Sequence, residues 1–445
     1  MKKLWDKNSS INEFVEAFTA GNDPVLDLEL APWDIIGSIA HVAMLAETNL
    51  ISVEEKDKLI KELKSLYRLA ADGKLIIDPA VEDIHSQVEN ELTKMLGDTG
   101  KKIHTARSRN DQIILDIRLY AREKLTIIRE EVLQLFNLLI QLSEKYHNIL
   151  MPGYTHFQVA MPSSFGLWFS SFAESLADDM ILLNSAYRVV NQNPLGTAAG
   201  YGSSLPVNRE MTTHLLGFDD MVYNSIYAQV GRGKTEKMIS VAMASVASTL
   251  SLLAMDAVLF MGQNFGFLSL PDAFTTGSSI MPHKKNPDAF ELIRAYGNKI
   301  QALPNEIQMI GTNLPSGYHR DKQILKESLF PAFNSLQKCL RMTMLLLGNI
   351  KVNPNILDDE RYRYIFSVEE VNELVKKGIP FREAYRRVAG DIEKGKYVPE
   401  RKATYTHEGS IGNPGNPGIR RKMEQIAAEI NPQIATEAMN RLLTA

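Results

Sequence analysis

Apolar positions along the 445-residue chain recur with a helical period almost throughout. In LYAREKLTIIREEVLQLFNLLIQLSEKYHNIL they fall at three- and four-residue steps, at Leu125, Ile128, Val132, Leu135, Leu139 and Leu142. Charges such as Arg129 and Glu130 take the other side, so the stretch predicts an amphipathic helix. Gly and Pro are missing between Gly100 and Pro152, between Gly166 and Pro194, and between Gly233 and Gly262. Those gaps predict very long helices. Strand-like alternation is hard to find anywhere. The first hundred residues read as shorter helices, and SVEEKDKLIKELKSLYRLA opens on a capping box, Ser52 with Glu55 three residues on. Past 350, helices are predicted around VEEVNELVKKG and PFREAYRRVAGDIEKG, with Gly378 as a C-cap and Pro380 in the next first turn. The stretch HEGSIGNPGNPG, 407–418, is the most loop-like, either a flexible linker or an ordered loop before the last helices. No internal repeat is visible.

The fold class expected is all-α. A helical N-terminal domain would cover 1–105, a central bundle of long helices 106–355, and a helical C-terminal domain 356–445. Helices apolar on several faces need neighbours, and the excess predicts an oligomer.

Composition narrows the function only by exclusion. A net charge of −4 gives no electrostatic reason to expect nucleic acid. The single cysteine, Cys339, can form neither an internal disulfide nor a thiolate cluster. It reads as a buried, inert thiol, and its solitude suits a reducing cytoplasm. The N-terminal MKKLWDKNSS has no apolar run after its lysines and does not read as a signal peptide. The charge-free run MISVAMASVASTLSLLAM, 238–255, could pass for a membrane span. It is studded with Ser240, Ser245, Ser248, Thr249 and Ser251 and lacks an aromatic belt, so it reads as a buried bundle helix.

Four polar segments fit a purely structural reading badly: EDIHSQVENEL with His85, HTARSRNDQ at 104–112, GYTHFQ at 153–158, and GSSIMPHKKNPDAFELIR at 277–294. None shows the spacing of a metal site or a nucleotide cradle. In HTARSRNDQ, Ser108, Asn110 and Asp111 are good helix caps, while the arginines at a helix N-terminus would equally suit an anion. His156 is either a structural histidine or an acid–base group, and the second role needs an orienting carboxylate such as Glu291. The 277–294 segment is either a surface loop before a helix or a lid hinged at Gly277. As a lid it would bring Lys284 to a developing negative charge. A serine there could act as a base only with its alkoxide stabilised by Lys284 and backbone N–H groups.

GSSIMPHKKNP resembles the signature loop of the fumarase/aspartase superfamily, Gly-Ser-x-x-Met-x-x-Lys-x-Asn, matched at Gly277, Ser278, Met281, Lys284 and Asn286. Within that superfamily HTARSRNDQ, GYTHFQ, KKNPD, GSIAH (37–41), EDIH (82–85), PLGTAAGYGSSLP (194–206), the spacing of Tyr318, Gln323 and Lys326, and PFREA (380–384) resemble the argininosuccinate lyases. The resemblance implies elimination of fumarate from argininosuccinate to leave arginine, a step of arginine biosynthesis, with no cofactor and no metal. It implies Ser278 as general base, Lys284 stabilising the aci-carboxylate, His156 protonating the departing nitrogen and Glu291 orienting it. Ser38, Arg109, Asn110, Thr155, Tyr318, Gln323 and Lys326 match substrate-holding positions, and His85 and Asn286 match positions lining the site. It further implies a cytoplasmic homotetramer, with each site drawn from three subunits, acting on a small molecule and engaging neither membrane nor nucleic acid. Two departures stand out. His283 replaces the usual Gln and is similar to adenylosuccinate lyases, which makes such a lyase the nearest alternative. GRGKTEK, 231–237, stands where many members carry a substrate-contacting Arg-Asp pair, with Arg232 the corresponding candidate. A non-catalytic, crystallin-like role is the alternative of another class.

Overall fold

The stretches free of Gly and Pro became the long helices. The computed structural model describes residues 12–78, 81–403 and 405–444. Helix α1 spans Asp23–Glu47, α2 Val53–Ala71, α3 Ile84–Leu96 and α4 Arg109–Lys145. Then come α5 (Phe165–Val190), α6 (Lys234–Met261), α7 (Asp288–Ile310) and α8 (Leu325–Gly348). Helices α9 (Ser367–Lys376), α10 (Phe381–Glu393) and α11 (Asn416–Ala428) follow, before a final helix at Gln433–Thr444. The MKKLWDKNSS segment lies outside the described residues.

Helix α4 packs on α5, α5 on α6, α6 on α7 and α7 on α8, and α8 returns to α4. The ring encloses an apolar core in which Leu125, Ile128, Val132, Leu135 and Leu139 are fully buried, as their period predicts. Helix α1 lies against α2 and α4, and α11 against α5. Helices α1 and α6 are both long and apolar enough to cross a membrane, but 78% and 61% of their most apolar windows are buried within the chain. Cys339 is buried and unpaired, and desolvation pushes its thiol up to about 11, which keeps it protonated and inert.

Local signals hold in detail. Both halves of the Ser52–Glu55 capping box form, at 3.2 and 3.0 Å. Gly378 has φ +89°, a conformation open to glycine at a helix end. Pro380 is the N-cap of α10, one step earlier than expected. The 407–418 stretch is an ordered turn closed by a Ser410–Asn413 bridge, and buried Asn416 donates to Ser143 Oγ at 3.0 Å.

Strands do occur among the described residues, in three two-stranded sheets, two of which pair only two residues a side (Gln192–Asn193 with Asp220–Met221, and Leu268–Ser269 with Lys351–Val352). Strands β1 (Leu150–Thr155) and β2 (Gln158–Ser164) form an antiparallel hairpin, paired from Leu150↔Ser164 to Thr155↔Gln158. Pro152, Gly153 and Pro162 interrupt its alternation, and the register shifts between Pro152 and Tyr154. The chain remains overwhelmingly helical.

Helix α4 carries an unusual stripe of buried arginines at i, i+4 and i+11. Arg118 donates to the carbonyls of Val189, Val190 and Gln192 at 2.7–3.3 Å, where α5 ends. Arg122 donates to Leu216 O, Gly217 O and Asn191 Oδ1 at 2.8–3.0 Å. Arg129 donates to Asn184 Oδ1 at 2.9 Å and to Ala427 O at 3.1 Å. Burial pulls Arg118 and Arg122 down to about 10, so both stay charged at neutral pH. Their charge is balanced by carbonyl dipoles, and in return each satisfies acceptors that a helix end or turn would leave bare. Arg122→Met should therefore cost on the order of 3 kcal/mol, since several buried acceptors lose their donor. Arg387→Ala, which breaks an exposed pair with Glu383, should cost under about 1 kcal/mol. Urea unfolding of the two variants checks the contrast.

Candidate active site

The N-terminus of α4 is where the polar segments begin to meet. Ser108 caps the helix and its N–H is bonded to Asp111 Oδ1 at 2.9 Å. The other Asp111 oxygen accepts the N–H groups of Gly196 and Ala198 at 3.1 and 2.9 Å. Burial raises this carboxyl to about 6, opposed by those three N–H bonds. One aspartate thus ties HTARSRNDQ to PLGTAAGYGSSLP. Asn110 Nδ2 adds a bond to Ala199 O at 3.4 Å.

Beside this junction lies a cleft lined by His85, Arg109, Asn110, Tyr318, Gln323 and Lys326, together with Arg232. Six of the residues matched to the family's site thus converge although they are spread from 85 to 326. The cleft is also strongly acidic, which the sequence reading did not anticipate. Lys326 is buried between Asp27 at 2.5 Å and Asp23 at 2.8 Å. Burial raises Asp23, outweighing the lowering by Lys326. Arg109 meets Asp83 at 3.1 Å and Glu82 at 3.4 Å, and donates to Ser86 Oγ at 2.7 Å. Arg320 binds Glu82 at 2.8 Å. Gln323 Nε2 is held by the carbonyls of Thr19 and Ala20 at 3.0 and 3.1 Å. The available signal was the spacing of Asp23, Asp27 and Asp34 at i, i+4 and i+11, one face of a helix otherwise largely apolar.

His85 sits on an acidic floor. Its Nδ1 lies 2.8 Å from Asp34 Oδ1 and 3.6 Å from Asp116 Oδ2, all three groups buried. Desolvation opposes the charged imidazole, but Asp34, then Asp116 and Asp83, outweigh it and raise His85 to about 9. The sequence shows no metal-ligand spacing, yet the fold brings ligand atoms of Asp34, His85 and Asp116 within 4.8 Å of one another. Burial, then Asp34, raises Asp116 well above the usual carboxylate range, and Asp34 is the carboxylate that the protonated ring meets most directly.

The remaining matched residues do not line the cleft. Ser38 is fully buried and accepts from Arg107 Nη1 at 3.0 Å. Thr155 is exposed beside the two-residue turn of the β1–β2 hairpin. His156 forms that turn with Phe157, at φ +55° and +57°. Both are non-glycine residues in a left-handed conformation, a strain of about 1–3 kcal/mol each that marks a constrained site. His156 faces a separate concavity with Tyr154, Trp168 and Asp256, and Glu291 is not among its walls. Ser278, Lys284 and Asn286 lie on a loop closed at its base by a Thr276–Asn286 bridge. Asn286 Nδ2 bonds Gly277 O at 3.3 Å, and Ser278 Oγ accepts the N–H of Met281 at 3.2 Å and of Ile280 at 3.4 Å. Lys284 is exposed on that loop, and Glu291 is exposed in the first turn of α7.

Fold and site together define a class. Residues 10–302 match the Lyase family, to which the chain belongs. An argininosuccinate lyase of Phocaeicola vulgatus is 55% identical over 442 residues, 99% of each chain. One from Thermotoga neapolitana is 41% identical over 388 residues, covering 87% of this chain and 98% of its own. The chain is accordingly a carbon–nitrogen lyase of the argininosuccinate lyase family. Among solved structures, EDDS lyase in complex with formate superposes with a TM-score of 0.77 at 24% identity over 98% of this chain and 94% of its own. Class II fumarase from Schistosoma mansoni does so at 0.69 and 18% identity, over 94% and 95%. These two share the fold.

The His85 floor makes a pH prediction. A folded pKa raised to about 9 stabilises the fold fully below the unfolded value near 6.5. That stabilisation is lost as pH rises through about 9. Chemical unfolding should show wild type losing on the order of 2–3 kcal/mol more than Asp34→Asn between those limits. Parallel pH profiles for the two proteins would refute the charged-imidazole assignment.

Proposed function

We propose that the protein catalyses the reversible elimination of fumarate from argininosuccinate, leaving arginine. The observation that carries the reaction is full-length similarity to argininosuccinate lyases at up to 56% identity. Ser278 takes the proton from the carbon next to a carboxylate. Lys284 stabilises the aci-carboxylate that forms. The C–N bond then breaks, its electron pair leaves with nitrogen, and His156, oriented by Glu291, protonates that nitrogen. A serine base is a demanding assignment. It is supported by the two backbone N–H groups directed at Ser278 Oγ, which lower the cost of negative charge there.

Arg109, Asn110, Tyr318, Gln323 and Lys326 hold the substrate, with Ser38, Thr155, His85 and Asn286 around it. Argininosuccinate carries three carboxylates, which enter by exchanging with the acids that now engage Arg109 and Lys326. No cofactor takes part in this chemistry. The cleft lacks the reacting groups, and the outer faces of the bundle expose Ile181, Leu182, Leu252, Met255, Leu292 and Leu345. Both features support a homotetramer in which apolar faces pack together and partner copies bring Ser278 and His156 to the cleft, and the single unpaired cysteine suits a reducing cytoplasm.

Purified protein given argininosuccinate should release fumarate, followed by ultraviolet absorbance, and give none from adenylosuccinate. Ser278→Ala should lower kcat by about 10²–10⁴-fold with an unchanged melting temperature. Turnover of adenylosuccinate alone would move the chain to the neighbouring specificity that His283 resembles. Binding-competent protein inert on both substrates would favour the crystallin-like alternative.

A further inference from the structure

A second cavity adjoins the cleft, between the N-terminal turn of α6 and the turn at 311–316. It is lined by Arg232, Lys234, Lys237 and Lys322, with no carboxylate among its walls. Arg232 lines both cavities. Arg232 and Lys322 are each 5% exposed and sit against one another, Arg232 Nη2 donating to Lys322 O at 3.1 Å. Lys322 Nζ donates to Gln229 O at 2.8 Å. Among the described residues neither cation has a carboxylate within 4.0 Å. The acids nearest in effect are otherwise engaged. Asp23 holds Lys326 at 2.8 Å, and Glu236 accepts the Gly233 N–H at 2.6 Å. Asp321 is exposed. The Arg232 Nε–H is buried without an acceptor.

Two adjacent buried cations with no carboxylate in contact are costly, because burial penalises each and they repel one another, while Glu236 and Asp321 act on Lys322, and Asp23 on Arg232, only from beyond contact distance. Burial, then Arg232, lowers Lys322, while a guanidinium stays protonated. Carbonyl groups take one bond from each cation, as they do from the α4 arginines, but here two charges adjoin beside an open cavity, and an oxyanion is the group an arginine fork is shaped to hold. The N-terminus of the 28-residue α6 adds its dipole in the same place. We propose that this cavity is a second ligand site, for a small carboxylate- or phosphate-bearing anion held by Arg232, Lys322 and Lys237. Its occupancy reaches the substrate cleft through Arg232, whose guanidinium lies 5.9 Å from the Tyr318 ring centroid.

The test uses the full chain and inorganic phosphate against chloride at equal ionic strength, read as a shift in melting temperature. Phosphate should raise the melting temperature of wild type beyond chloride, saturably. Lys322→Leu should weaken phosphate binding at least tenfold, and Lys237→Ala, on the half-buried rim where Lys237 bonds Gln308 Oε1, severalfold. Arg109→Ala, in the cleft, and Lys394→Ala, on the distant C-terminal helices, should leave the phosphate effect intact. Equal shifts with phosphate and chloride in wild type would overturn the proposal. So would a phosphate effect that survives Lys322→Leu and Lys237→Ala but is lost in Arg109→Ala, since the anion would then sit in the cleft. Dissociation of the assembly by Lys322→Leu, with no phosphate effect in wild type, would also overturn it and identify a partner copy's carboxylate as the counter-charge.

Discussion

The arrangement of this protein rests on what the buried guanidinium groups of α4 do to the ends of other elements. Arg118, Arg122 and Arg129 donate to carbonyls at the end of α5, the turn at 216–217 and the end of α11. Each exchange removes two problems at once, a buried charge and a set of bare acceptors. It also fixes position. The same helix that carries these arginines presents Arg109 and Asn110 at its N-terminus, and Asp111 there binds the 194–206 loop. The cleft is therefore held by a rigid 37-residue rod, with the connecting loops tied to it.

That cleft is balanced electrostatically before any substrate arrives. Lys326 lies between two aspartates, Arg109 and Arg320 share Glu82, and His85 is held over Asp34 and Asp116. On the function proposed above, anionic substrate groups enter by exchange of ion-pair partners, which keeps the cations fixed and pre-oriented. Arg232, on the wall of the cleft, and Lys322 behind it have no carboxylate in contact and adjoin a cavity whose walls carry none, and that cavity is what points to a ligand.

Much of this was legible in the residues, because helical period and capping are local. The Gly- and Pro-free gaps became α4, α5 and α6, and the Ser52 box formed as read. The hairpin was not legible. Two prolines and a glycine break its alternation, and its turn is His156–Phe157 where Asn-Gly would have been the usual sign. The motif residues came from segments far apart in sequence, and six of them do converge on one cleft. The acidic partners were missed because nothing local shows that Asp23 and Asp27 line the same cleft as residues 82–85 and 318–326, with Asp34 buried beneath His85. Nor does local sequence separate the cleft from the His156 turn and the Ser278 loop.

The central claim is that binding groups and reacting groups of one site belong to different copies of the chain. The most direct measurement mixes two inactive variants, Arg109→Ala and Ser278→Ala, under conditions that let subunits exchange. The account predicts that the hybrids regain fumarate release, because some sites receive intact Arg109 from one chain and intact Ser278 from another. Activity that stays at the level of the parents after verified exchange would contradict it, placing both residues of each site on a single chain.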